Sequence, residues 1–174
     1  EVEIHAGAKG MPFRHGVRMG RHMEKGHSAL RRGRVSVPGE VYLVTAVVRG
    51  RAPVFADVGH ARVVANLHGL AGAFLDATPL AWVLMPDHWH GVLRLGHNAA
   101  LSAVVRQFKT RVCRELRLAC GFHGPLWQAA YHDHRLCDDT AIHNAIAYLR
   151  ANPVRAGLCV PPHEYPYADS IAPP

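Results

Sequence analysis

The sequence has little that would place the protein in a membrane, in an oxidising compartment or among the common hydrolases. No run of apolar residues reaches the roughly eighteen that a membrane-spanning helix needs, and the N-terminal part contains no apolar core of a secretory signal. The four cysteines are widely spaced, and because no secretory signal is visible, reduced thiols in a cytoplasmic protein are expected. Neither a P-loop nor the nucleophile elbow of serine hydrolases is present.

Acidic residues are also scarce, with 13 Asp and Glu against 20 Lys and Arg, which gives a net charge of +7 at pH 7. This excess is compatible with a nucleic-acid partner and equally with a basic protein that binds no polyanion. A length of 174 residues and 49% hydrophobic residues are typical of one globular domain. We predict a flexible basic tail over 1–27, the domain over 28–168 and a short C-terminal tail over 169–174.

Periodic apolar positions predict a mixture of strands and helices along the domain. Alternating or β-branched runs predict strands, and apolar residues three and four apart predict amphipathic helices. The predicted strands cover 40–48, 80–85 and 88–95, and the predicted helices cover 58–77, 101–119 and 138–153. The polar stretch 121–137 is predicted to be a loop, and the chain from Pro161 to be irregular.

Two histidines lie one residue apart in the segment "LMPDHWHGVLRLG", within the third predicted strand. Side chains alternate between the two faces of a strand, so His88 and His90 share one face and Trp89 belongs to the other. Two imidazoles on one face could bind a common cation, and a pair of surface histidines is the alternative.

The last predicted helix contains a tyrosine and an asparagine on one side. Asp138 or Asp139 can cap its start, and Pro153 predicts that it ends at Asn152. Tyr148 and Asn152 are four residues apart and therefore neighbours on the helix surface. A phenol there could act as a nucleophile beside a metal and the amide could supply an oxygen ligand, whereas simple packing is the other interpretation.

A second metal interpretation involves a different part of the chain. Cys120 and His123 form one spaced pair of potential ligands, and His134 and Cys137 form another. Two thiolates and two imidazoles suit tetrahedral zinc, although the spacing is not that of the common zinc motifs.

Two groups of basic residues could contact phosphates. One lies in the segment "ALRRGRVSVPG" before the first strand, and the other lies opposite the apolar stripe of the helix predicted over 101–119. A solvated charged surface is the alternative for both groups. The residues are Arg31, Arg32, Arg34, Arg106, Lys109, Arg114 and Arg117.

Three segments, "MPDHWHGVL", "LWQAAYHDHRL" and "YLRANPVRAGL", occur in an order and at separations that resemble the IS200/IS605-like single-tyrosine transposases. Within them the REP-associated tyrosine transposase branch is the best match, over about residues 29 to 167. The resemblance implies an α+β fold of the HUH-endonuclease, ferredoxin-like type, with a central antiparallel sheet flanked by helices.

The resemblance also implies roles for four residues. His88 and His90 match the metal-binding histidines of the HUH motif, Tyr148 matches the nucleophile, and Asn152 matches the position that completes the metal site. Asp87 stands where Asn is frequent. His132, Asp133 and His134 match a family segment without an assigned role.

The implied activity is that of a metal-dependent single-stranded DNA endonuclease and strand transferase, a transposase-like enzyme that forms a covalent 5′-phosphotyrosine intermediate. The implied cofactor is Mg²⁺ or Mn²⁺, and the implied partner is single-stranded or hairpin-forming repeat DNA, with Arg155 as a further DNA contact and a monomer favoured over a dimer. Histidine ligation implies that activity falls below about pH 6. A non-catalytic nucleic-acid-binding module, a domesticated relative, is the alternative.

Overall fold

The computed structural model describes residues 36–70 and 72–170. Five strands and three α-helices, with short 3₁₀ helices between some of them, form the regular structure of this part of the chain. The strands are β1 Val41–Val47, β2 Ala77–Met85, β3 His88–Leu95, β4 His132–Leu136 and β5 Ala168–Ser170. The helices are α1 Val58–His68, α2 Leu101–Cys120 and α3 Asp139–Arg155. Within the described residues, no helix combines the length and apolar content that crossing a bilayer would require.

The strands form one antiparallel sheet in the order β4-β1-β3-β2-β5. β3 lies in the middle because it pairs along its whole length with β1 on one side and with β2 on the other. The turn at Pro86 and Asp87 joins β2 directly to β3, as a tight antiparallel connection requires. The predicted α+β fold with a central antiparallel sheet is confirmed.

Helices α1 and α2 cover one face of the sheet and enclose the larger apolar core. From β3 this core receives Trp89, Leu93 and Leu95, which alternate along the strand as the pleat requires. The buried stripe of α2 packs against them through Leu101, Val104, Val105, Phe108, Val112 and Leu116. A helix with this apolar stripe is stable only when the stripe is covered, and the sheet covers it.

Helix α3 covers the other face and encloses a smaller apolar cluster. Its buried residues Ala145, Ile146 and Leu149 pack with Val83 of β2 and Val92 of β3. The Asp138 carboxylate accepts a hydrogen bond from the amide of Ala141 at 2.7 Å, which confirms the predicted N-terminal cap. The histidine pair lies on this face, because it shares the alternation of Val92.

The helix predicted over 58–77 was too long. Helix α1 ends at His68 with Gly69 as its cap, and Gly72 has a φ of +70°, a left-handed conformation that is inexpensive only for glycine. Strand β2 begins at Ala77, three residues earlier than predicted. Apolar spacing alone overlooked the glycines that interrupt this helix.

Strands β4 and β5 were not predicted. Strand β4 is polar, "HDHRL", and it exists because its backbone pairs with β1 at the sheet edge. Strand β5 pairs with β2 and continues to Ser170. The division of the chain into two tails and a domain over 28–168 stays a prediction.

Helix α3 also extends beyond its predicted end at Asn152. Pro153 is buried inside the last turn, and the helix continues to Arg155. The local tendency of proline to end a helix therefore did not decide where this helix ends.

Candidate metal and tyrosine site

The centre of the sheet positions both histidines. His90 lies opposite Thr45 of β1 and Val83 of β2, and His88 lies opposite Val47 and Met85. A strand paired on both sides cannot twist or shift without breaking two hydrogen-bonded ladders. The backbone beneath the two imidazoles is therefore held rigidly by the fold.

His90 is a buried imidazole with one ring nitrogen already engaged. Its side chain is 8% exposed, and Nδ1 lies 2.8 Å from the Thr45 hydroxyl oxygen. Burial, together with the neighbouring His88, lowers the pKa of His90 to about 3. The ring is therefore neutral far below pH 6, so the expected loss of activity below about pH 6 does not begin at His90.

His88 is engaged on one side by the residue before it. Its Nδ1 makes a short contact with Oδ1 of Asp87, and Oδ2 of Asp87 accepts a hydrogen bond from Nη1 of Arg51 at 2.9 Å. Partial burial would raise the pKa of Asp87, but the contacts with His88 and Arg51 lower it to about 2. Asp87 is therefore a carboxylate that bridges an imidazole and a guanidinium.

The two histidines leave the same ring atom available. The Nδ1 atoms are occupied by Asp87 and Thr45, and neither Nε2 atom has a hydrogen-bond partner in the described part of the chain. The ring centroids are 4.6 Å apart and the rings are nearly perpendicular, at 87°. Neutral imidazole nitrogens arranged in this way suit a shared cation.

Tyr148 reaches the same face from α3. Its ring centroid lies 6.0 Å from that of His90, at an interplanar angle of 76°, and its side chain is half-buried. The guanidinium carbon of Arg155 lies 5.5 Å from the centroid of the Tyr148 ring. The phenol is thus close to the histidine pair and has a positive charge beside it.

Asn152 lies one turn after Tyr148 on α3. Its Nδ2 atom is buried and has no hydrogen-bond partner among the described residues. The two ends of a side-chain amide are interchangeable by rotation, so this unsatisfied position could equally present the oxygen. Two available imidazole nitrogens and an amide oxygen are ligands that fit a divalent cation.

The zinc interpretation is wrong. Among the described residues, which include Cys120, His123, His134 and Cys137, no three His, Cys, Asp or Glu side chains gather as a metal-binding group. All four cysteines have free thiols. The candidate site in the sheet consists of two histidines and one asparagine, and asparagine is not one of these four residue types.

The basic residues predicted to contact DNA lie in several places. Arg106, Arg114 and Arg117 are exposed on the side of α2 that points away from the sheet, so the sheet separates them from Tyr148. Lys109 instead donates hydrogen bonds to the carbonyls of Gln128 and Ala130, at 2.8 and 2.9 Å. Arg31, Arg32 and Arg34 lie outside the described residues.

Sequence reasoning missed three contributors to the site. Thr45 and Arg51 contact His90 and Asp87 from positions 45 and 36 residues away in the chain, so no local pattern could identify them. Asp87 adjoins the histidine pair, and a carboxylate next to a potential ligand is a signal that the sequence does contain.

Comparison with known proteins agrees with the predicted resemblance. The chain is 26% identical over 99 residues to a protein of Haemophilus influenzae with the provisional name REP-associated tyrosine transposase; the match covers 51% of the chain and 56% of the relative. The chain thus spans just over half the length of this relative. No family model matches the sequence.

A solved structure shares the fold. A REP-associated tyrosine transposase bound to a REP hairpin superposes with a TM-score of 0.59 at 19% identity, over 78% of this chain and 79% of that one. A protein of Deinococcus radiodurans R1, provisionally named a transposase, has a TM-score of 0.44 at 18% identity, over 68% and 94% of the two chains. The similarity to REP-associated tyrosine transposases is therefore found in both sequence and fold.

Proposed function

We propose that the protein is a single-tyrosine HUH enzyme that cuts and rejoins single-stranded DNA. The observation that supports this proposal best is the placement of the Tyr148 ring 6.0 Å from that of His90, which with His88 has an available Nε2. A phenol beside two preorganised metal-ligand atoms is an arrangement that suits metal-assisted phosphoryl transfer to a tyrosine.

In the proposed reaction the hydroxyl oxygen of Tyr148 attacks a phosphodiester phosphorus. A bond forms between this oxygen and the phosphorus, and the bond from phosphorus to the 3′ oxygen breaks. The phenol loses its proton to solvent and the departing 3′ oxygen gains one, which leaves a 5′-phosphotyrosine and a free 3′-hydroxyl. The reverse reaction joins strands without an external energy source.

The chain supplies the ligands and the charges for this chemistry. His88, His90 and Asn152 would hold Mg²⁺ or Mn²⁺, which when bound offsets the negative charge that develops on the phosphate. Arg155, beside the Tyr148 ring, is placed to attract a phosphate to the nucleophile. Since Tyr148 and His90 of one chain already lie together, a single copy holds these groups, and a monomer would suffice.

Hairpin-forming repeat DNA is the proposed substrate class. The protein of similar fold was solved with a REP hairpin, and the basic excess of this chain suits a polyanion. A strand at Tyr148 approaches the α3 face, whereas Arg106, Arg114 and Arg117 occupy the other side. These three residues would therefore contact a different part of the DNA, such as the hairpin stem.

The test is covalent capture. We would incubate the purified protein and its Tyr148→Phe variant with labelled hairpin oligonucleotides and Mn²⁺, and resolve the products under denaturing conditions. A labelled adduct with the wild type and none with Tyr148→Phe would support the proposal. Hairpin binding without an adduct, across several repeats and both metals, would overturn it and favour a non-catalytic DNA-binding module.

A further inference from the structure

We propose that Asp87 is a positioning residue that fixes the tautomer and orientation of His88 and strengthens it as a metal ligand. This inference rests on the proposed metal site and adds a residue to it. In the proposed site the carboxylate touches neither the metal nor the DNA. It acts through the imidazole of His88.

The contacts around Asp87 point in this direction. Its Oδ1 faces Nδ1 of His88, so a neutral His88 carries its proton on Nδ1 and presents an unprotonated Nε2. Free imidazole does not hold this tautomer by itself. The Asp87 contact therefore makes the Nε2 lone pair available without a rearrangement when a cation arrives.

The backbone around Asp87 is also fixed. Its carbonyl accepts a hydrogen bond from the amide of Val48 at 2.9 Å, which ties the β2–β3 turn to the end of β1. A carboxylate held at both its backbone and its side chain can orient the ring that it contacts. Carboxylate–histidine pairs of this kind raise ligand basicity, and their loss typically lowers metal affinity by 10- to 100-fold.

His90 offers an internal comparison. Its Nδ1 is engaged by the neutral Thr45 hydroxyl, whereas that of His88 is engaged by a carboxylate. Both rings are therefore oriented by a partner on Nδ1, but only His88 has a negatively charged group directly bound there. We expect His88 to be the stronger of the two ligands.

Arg51 allows a structural role for Asp87 to be distinguished from a positioning role. Its guanidinium is bound to the second carboxylate oxygen, with a side chain 65% exposed. If Asp87 served only to close an ion pair between the turn and Arg51, removing either partner would have the same effect. If Asp87 acts on His88, removing Arg51 leaves the contact between Asp87 and His88 intact. It also removes a positive charge near the bound cation.

The experiment measures Mn²⁺ affinity in the absence of DNA, by electron paramagnetic resonance of free Mn²⁺, for the wild type, Asp87→Ala, Arg51→Gln and His90→Ala. Nitrogen NMR of the metal-free proteins reports which His88 nitrogen carries the proton. We expect Asp87→Ala to bind at least 10-fold more weakly and to lose the Nδ1–H tautomer of His88. Arg51→Gln should bind at least as tightly as the wild type.

Two results would overturn the inference, and they are separate from failure of the metal site itself. Asp87→Ala with wild-type affinity and tautomer would overturn it while leaving the site in place, as would Asp87→Ala and Arg51→Gln weakened equally. No Mn²⁺ binding by the wild type, or binding unchanged in His90→Ala, would overturn the metal site and this inference together.

Discussion

The two faces of the sheet differ in the chemistry of their side chains. The face under α1 and α2 is apolar and aromatic, with Trp89 fully buried against Phe108 at a centroid distance of 4.5 Å. The face under α3 is half polar, with the histidine pair and Tyr148 beside a smaller cluster. Neighbouring residues on β3 thus belong to different environments, and the pleat separates stabilising residues from those of the candidate site.

The polar groups of the two faces follow the same division. On the α1 side His68 is a structural histidine, since its Nδ1–H donates to the Val64 carbonyl and its Nε2 accepts from Nε1 of Trp89 at 3.0 Å. On the α3 side, each histidine of the pair has one available nitrogen. A histidine with both nitrogens satisfied is part of the core, and one with a free Nε2 can bind a ligand.

The largest expected contrast lies between Trp89→Ala and Tyr148→Phe. Trp89→Ala should lower the free energy of unfolding by about 3–5 kcal/mol, because it empties the centre of the larger core. Tyr148→Phe should abolish the DNA adduct and change the free energy of unfolding by no more than about 0.5 kcal/mol. Chemical denaturation and adduct formation measure the two effects, and a strongly destabilised Tyr148→Phe would contradict the division.

Acid should weaken the α1 face through His68. Burial lowers the pKa of His68 from 6.5 to about 4, so between these values the unfolded chain binds a proton that the folded chain does not. Stability contributed by the neutral ring is complete above pH 6.5 and is lost as the pH falls towards 4, by up to about 1.4 kcal/mol per pH unit.

The variant His68→Gln tests this effect by urea denaturation in the presence of a chelator. It should be less stable than the wild type at pH 7, since it loses the stacked contact with Trp82 at 3.9 Å. The difference should shrink between pH 6.5 and 4, because only the wild type is penalised by protonation at residue 68. A constant difference across this range would argue against the lowered pKa.

Gly91→Ala should lower the free energy of unfolding by overpacking the α1 face of the sheet. A Cβ atom on Gly91 would lie 2.1 Å from Cη2 of Trp89, so the indole would have to move. We expect a loss of about 1–3 kcal/mol, as for other overpacked cores. The same substitution in a Trp89→Leu background should cost less, and an equal cost in both backgrounds would show that the indole is not the obstacle.

The smallest expected effect concerns DNA binding on the α3 side. Arg155→Gln should weaken binding of single-stranded oligonucleotides roughly 3- to 10-fold and lower the salt dependence, because it removes one phosphate contact. Arg117→Gln, which removes an exposed arginine from the α2 side, should affect hairpins more than unpaired strands. Fluorescence anisotropy at two salt concentrations measures both, and identical profiles for the two variants would contradict a face-specific strand path.

Local patterns were sufficient for much of the fold. The alternation in β3 predicted which residues share a face with His88, and the stripe of α2 predicted its length to within one residue. Tyr148 and Asn152 were identified by their spacing and by resemblance, and their catalytic and ligand roles stay predictions. Local patterns did not predict β4, which has no apolar alternation of its own, or the continuation of α3 through the buried Pro153.

The sequence by itself determined that two histidines share one face of a strand and that a tryptophan lies behind them, because side-chain direction in a strand depends only on residue number. Tertiary structure decided which groups meet those histidines. Thr45 contacts His90, Arg51 contacts Asp87, and Tyr148 reaches the pair because β1 and α3 pack beside β3. Strand pairing and helix packing depend on contacts between residues that are distant in the chain. The sequence pattern shows which faces are apolar, but not which of these faces are buried against each other.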